Sequence, residues 1–205
     1  MNRTIHIFLT VSLFIATPAT LMAEPNPISF SAEVTRSRAD KKGVSTRGKI
    51  HVSPEAIRGE TTNKGITTIL IHHTTRKTVW ILNPSQKNYL ERPTTDAGRP
   101  PLPDDPNSPC RRDKQILCRQ IGPETVENRQ TIHWEILTRT ADHREHSQTH
   151  LWIDPRLRFA LREHHADGLI VELTQIQEGV QPAELFQIPQ DFQKIAPAPT
   201  PGPTR

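Results

Sequence analysis

Hydrophobic residues recur along much of this chain at every second position, in short runs cut by turn residues. Phe30, Ala32 and Val34 alternate with Ser31, Glu33 and Thr35, and Ile132, Trp134 and Ile136 alternate with His133 and Glu135. A period of two sends successive side chains to opposite faces of an extended chain, so each run predicts a strand with one apolar face. Further strands are expected at Ile50 and Val52, Ile66–His73, Thr78–Leu82, Lys87–Glu91, Glu124–Glu127 and Thr149–Asp154, with a hairpin of Leu157–His164 and Leu169–Ile176. Turns fall at Asp40-Lys41-Lys42-Gly43, Ser53-Pro54, Asn83-Pro84-Ser85, Asp154-Pro155 and Ala166-Asp167-Gly168. These residues tolerate or fix the dihedrals that a reversal needs. Pro182–Phe186 predicts a short helix, the one clear helical signal. One strand breaks the alternation. Val79-Trp80-Ile81-Leu82 is apolar at every position, which fits a strand buried on both faces, or one whose second face lines a groove.

The pattern fails in three places. Ile5–Ala16 is a continuous apolar run behind a short basic start, followed by small residues up to Ala23, the layout of a secretory signal peptide cleaved after Ala23. Thr94–Pro109 holds Pro100, Pro101, Pro103, Pro106 and Pro109 and has little to bury. Pro197–Pro203 reads as a polyproline-like tail. The expected organisation is therefore a signal peptide (1–23), one β domain (24–195) with an insertion at 94–120, and a Pro-rich tail (196–205). Removing 23 of the 205 residues leaves 182, enough for a single domain. About ten antiparallel strands with few short helices predict a mainly β protein, a curved sheet forming an incomplete (half) β-barrel.

Export changes the meaning of the remaining numbers. Cys110 and Cys118 are the only cysteines, and in an oxidising compartment they predict a disulfide pinning the Pro-rich insertion. No Cys stands at the cleavage junction, so a lipid anchor is not expected; a soluble periplasmic monomer is. The formal net charge of +4 falls to +3 once Arg3 is removed, and the Lys and Arg residues are scattered rather than striped. That argues against nucleic acid as a partner.

The order of motifs resembles a known family. Gly48-x-Ile50-x-Val52-x-Pro54-x-x-Ile57-Arg58-x-Glu60, then Ile66–Ile71, then Thr78-x-Trp80-x-x-Asn83-Pro84, is similar to the first half of the LolA/LolB-like periplasmic lipoprotein carriers. Thr149-x-x-Trp152-Ile153-Asp154 and Phe159–Ile176 resemble the later hairpins of that fold. The resemblance implies a curved antiparallel half-barrel whose apolar concave face, lidded by helices in the carriers, holds acyl chains. Two features depart from the carriers. No room exists for a helix between Glu24 and the first strand, and Ser53 stands before Pro54 where carriers place an arginine. The chain is thus closer to exported half-barrel families of unassigned function than to true carriers.

Candidate chemistry follows from that frame. Trp80, Leu82, Trp134, Trp152 and Phe159 are candidates for lining an apolar groove, with Arg58 placed to meet an anionic headgroup at its mouth. Arg58 and Glu60 share a strand face, so an ion pair between them is the plainer role. Ten histidines invite a metal, but adjacent pairs such as His72-His73 and His164-His165 point to opposite faces. In His143-x-x-His146-x-x-x-His150, the last two are more than ~12 Å apart if extended. No metal, cofactor or catalytic residue is expected: no nucleophile motif is present, Asp154-Pro155 reads as a turn, and Glu163 fits a wet strand face. The expected activity is non-enzymatic binding of a lipid acyl chain or lipidated peptide. The alternative is a cell-envelope interaction or sensor module with a filled core, docking a protein through the Cys110–Cys118 loop.

Overall fold

The structure, a computed structural model, describes residues 28–93, 109–110, 116–140 and 144–196, the side chains of 41–44 apart. The expected signal peptide, most of the Pro-rich insertion, the tail from 197 and His143 lie outside the described residues. One open sheet of twelve strands accounts for almost everything else. Six strands form a meander: β1 (Phe30–Arg38), β2 (Lys41–Val52), β3 (Ala56–Asn63), β4 (Ile66–His73), β5 (Thr78–Asn83) and β6 (Asn88–Pro93). Five form a second: β7 (Ile116–Val126), β8 (Arg129–Arg139), β9 (Glu145–Asp154), β10 (Phe159–His165) and β11 (Leu169–Glu178). The two meanders join where β1 pairs antiparallel with β11, and the sheet does not close into a barrel. The half-barrel expected from the strand rhythm is the architecture observed.

Two elements exceed the expectation. Strand β7 begins at Ile116 rather than Glu124, so residues assigned to the insertion belong to the sheet edge. A final strand, β12 (Gln193–Lys194), adds to β6 in parallel at the opposite edge. Pro182–Phe186 is a single 3₁₀ turn at Ala183–Phe186, too short for an α-helix. To reach β12 from the end of β11, in the middle of the sheet, the chain crosses one sheet face as an irregular strap spanning residues 179–192.

The central core lies around the seam. Phe30, Leu161 and Leu173 are almost wholly buried there, and the Phe30 and Phe159 rings meet edge to face with centroids 5.4 Å apart. Alternation explains the selection: Phe30, Ala32 and Val34 share a face with Val52, Ile50 and Gly48 of the neighbouring strand. Non-directional burial of this face across both meanders is the main force joining them. The Cys110–Cys118 disulfide, Cα atoms 5.7 Å apart, links the start of β7 to the segment before it.

Candidate functional site

Strand register places the doubly apolar strand's residues on two different surfaces. Antiparallel partners share a face, so Arg58, Ile71, Trp80 and Glu91 form one cross-strand row from β3 to β6, and Glu60, Ile69, Leu82 and Tyr89 the next. The strap crosses this face. Its Phe186 is buried against Ala56, Ile69, Ile71 and Leu82, while Trp80 and Tyr89 pack on the rim with Leu185 and Phe192. The other face of the same strands carries the row Leu70, Ile81, Leu90 and, beside it, His72, Val79, Arg92. Among the described residues nothing comparable covers its outer end: Leu70 is 47% exposed and Ile66 59%.

Polar groups are concentrated under the strap. Arg58, only 12% exposed in its side chain, bonds Glu60 at 2.9 Å and donates through Nη1 to the Leu185 carbonyl at 3.3 Å. The charge expected in a plain surface pair is thus roofed by the strap. His73 meets the Trp80 ring with centroids 4.5 Å apart and hydrogen-bonds the Phe186 backbone. Burial, then the Arg76 charge, lowers its pKa, partly offset by that hydrogen bond. Arg58 Nε and His73 Nε2 are buried without a hydrogen-bond partner. Trp80 Nε1 donates to Glu91 at 3.2 Å. The strap is also held by His51 against Gln181 at 2.9 Å and by the exposed pairs Lys87–Asp191 at 2.9 Å and Lys194–Glu91 at 3.1 Å.

The six candidate lining residues do not converge on one surface. Arg58, Trp80 and Leu82 belong together under the strap. Trp152 and Phe159 belong to the central core. Trp134 packs with Leu151, Ile153 and Ala160 near Cys118, its buried Nε1 unpartnered. Phe186, Leu185 and His73 complete this packing and were not signalled by the sequence. No periodicity connects the strap to strands more than a hundred residues away.

A second polar cluster surrounds Trp152. The His133 ring stacks on it with centroids 4.2 Å apart, His164 meets its edge at 4.8 Å, and the Arg162 guanidinium lies 5.5 Å from its centre. His133 Nε2 and His150 Nδ1 are 2.9 Å apart. Glu124 accepts from Trp152 Nε1 at 2.6 Å, and Glu172 accepts from Arg162 at 3.0 Å. As expected, His164 and His165 diverge: His165 bonds Thr149 at 3.2 Å and Glu163 at 2.8 Å. Among the described residues no three His, Cys, Asp or Glu side chains are arranged to hold a metal.

This chemistry fixes a pH response. Burial, followed by neighbouring positive charge, lowers the pKa of His73, His133 and His164 below the usual histidine value. The hydrogen bond to Glu163 raises that of His165. A histidine with a lowered folded pKa binds fewer protons folded than unfolded, so stability falls once pH drops below the unfolded value of about 6.5. His165 acts oppositely, losing stability as pH rises through its raised value. With three groups against one, the urea midpoint is expected to fall between pH 7.5 and 5, and to fall less in His133→Gln. A midpoint that rises over that interval contradicts the assignment.

Neither a protein-family model nor a curated protein sequence matches the chain. Solved structures match its fold. MucB superposes on 81% of this chain at 16% identity with a TM-score of 0.51, and the chain spans 59% of MucB's length. PNGF-II superposes on 82% at 8% identity with a TM-score of 0.50, over 30% of its own length. The LolA superfamily protein NE2245 from Nitrosomonas europaea matches 80% of this chain and 90% of its own at 9% identity, with a TM-score of 0.37. At these identities the likeness concerns fold alone. The chain is an open antiparallel half-barrel, a fold it shares at low sequence identity with MucB.

Proposed function

We propose that this protein is an exported, non-enzymatic envelope protein that holds an apolar or amphiphilic ligand, such as a lipid acyl chain or lipidated peptide. The observation that carries the reading is the apolar face of β3–β6 that the strap covers. Its centre is aliphatic, and two polar side chains, Arg58 and His73, lie on it with buried nitrogens unpaired. Binding sites for amphiphiles combine an apolar wall with a few fixed polar groups in this way. Export to the periplasm is supported by the amino-terminal sequence and by the Cys110–Cys118 disulfide. The test is extraction of the mature protein, purified from a native-like host, for lipid mass spectrometry, with titration by a fluorescent fatty acid. A stoichiometric co-purifying lipid or saturable binding is expected; absence of both sinks the reading.

A second reading, a protein-interaction module, is favoured by the Ile66, Leu70, Ile81 and Leu90 surface on the other face. Ile66 and Leu70 are both exposed on this face of β4, with Thr68 between them, and leave apolar surface that a partner could cover. In that case crosslinking in periplasm captures one stoichiometric protein partner, and Leu70→Glu abolishes the capture while leaving fatty-acid binding intact. If Leu70→Glu captures the same partner, this surface is not the docking site.

A further inference from the structure

The strap lies on this apolar face in the manner of a bound molecule. Two consecutive backbone groups, at Leu185 and Phe186, are engaged by Arg58 and His73, and the adjoining Phe186 ring enters the aliphatic wall. An acyl chain ending in a carboxylate presents the same succession: adjacent oxygens, then an apolar body. The match is incomplete. Arg58 Nε and His73 Nε2 remain buried and unpaired beneath the strap. Arg58 Nε is a buried donor without an acceptor, which is costly, and a carboxylate can take two guanidinium N–H groups side by side where a lone carbonyl takes one.

The strap's other attachments are weak. Besides the His51–Gln181 hydrogen bond, the two ion pairs that fasten it, Lys87–Asp191 and Lys194–Glu91, are exposed, and β12 contributes a ladder of two residues. Exposed pairs add at most about 1 kcal/mol each. Segments held this way open at a fraction of the global unfolding free energy.

We propose that residues 180–192 are a displaceable occupant of the chain's own binding site, and that the ligand which displaces them is a single-chain fatty acid, its carboxylate on Arg58 and His73 and its chain in place of Phe186. This rests on the amphiphile-binding reading above and adds to it the ligand class and a built-in competitor. Because the strap must leave before the ligand enters, apparent affinity is reduced by the fraction of time the site is open.

The experiment titrates cis-parinaric acid and its uncharged methyl ester against the full mature protein, Phe186→Ala, Asp191→Lys and Arg58→Gln. Phe186→Ala is expected to bind the acid at least about tenfold more tightly than wild type, since its occupant has lost its plug. Asp191→Lys, which touches only the exposed fastening, is expected to gain about threefold and serves where Phe186→Ala fails to fold. Both prefer acid to ester, and Arg58→Gln abolishes the preference. Binding equal in wild type and both released variants overturns the displaceable strap while leaving the amphiphile reading standing. Equal affinity for acid and ester in the released variants overturns the carboxylate assignment. No binding to any variant removes both.

Discussion

Replacing Phe30 by alanine is expected to cost about 3–5 kcal/mol of folding free energy, the range for emptying a wholly buried aromatic site. Phe30 opens β1, the strand that pairs with β2 on one side and β11 on the other. Its ring is fully buried and meets Phe159 edge to face, an arrangement worth some 0.5–1.5 kcal/mol beyond burial. The site has little freedom to collapse, because its neighbours come from separate meanders fixed by their own ladders. Urea unfolding followed by tryptophan fluorescence measures the loss. A fair comparison is Leu90→Ala, at a half-buried position on β6, where about 1 kcal/mol is expected. If the two variants lose equal stability, the seam is not where the sheet is held.

Asp154→Ala is expected to cost about 3–4 kcal/mol, because one buried carboxylate serves two purposes. Asp154 Oδ2 pairs with Arg129 Nε, while Oδ1 accepts from the backbone N–H groups of Arg156 at 2.7 Å and Leu157 at 3.1 Å. Removing it unties the turn from β9 to β10 and leaves a guanidinium with one remaining partner, Glu178 at 2.8 Å. Breaking one side of a buried pair is costlier than never having built it. Asp154→Asn separates the two effects: the amide oxygen still accepts from the turn, so the loss is expected to be about half. A full loss in the asparagine variant assigns the whole effect to the charge. The sequence reading of Asp154-Pro155 as a turn was correct but saw only one of the two roles.

The same distinction runs through the whole chain. Alternation revealed the strands because it is local, and Phe30, Ala32 and Val34 report their shared face without any knowledge of neighbours. It also gave the divergence of His164 from His165. What alternation cannot supply is which strands adjoin and in what register. Trp80, Trp134 and Trp152 each read as inward-facing, yet they serve three separate clusters. The contacts of His133, His150 and His164 depend on register shifts at Ile136/Leu137 and at Ala160/Arg162, irregularities with no signature in the residues themselves. The strap was the least legible element. Its hold on Arg58 and on the aliphatic face is through a backbone carbonyl and one phenylalanine, and backbone groups leave no trace in a sequence.

The seam has one more consequence, in the order of events. Strand β1 is made first and its partner β11 almost last, with Val34 waiting for Leu173. Until then one edge of β1 offers unpaired backbone groups, and Phe30, Ala32 and Val34 lack half of their cover, a surface inviting pairing with another chain. Closing the sheet across so long a loop is slow. The newly made chain therefore spends its most aggregation-prone interval with its first meander complete and its core open, and slow refolding, with losses that grow with protein concentration, is the behaviour this topology dictates.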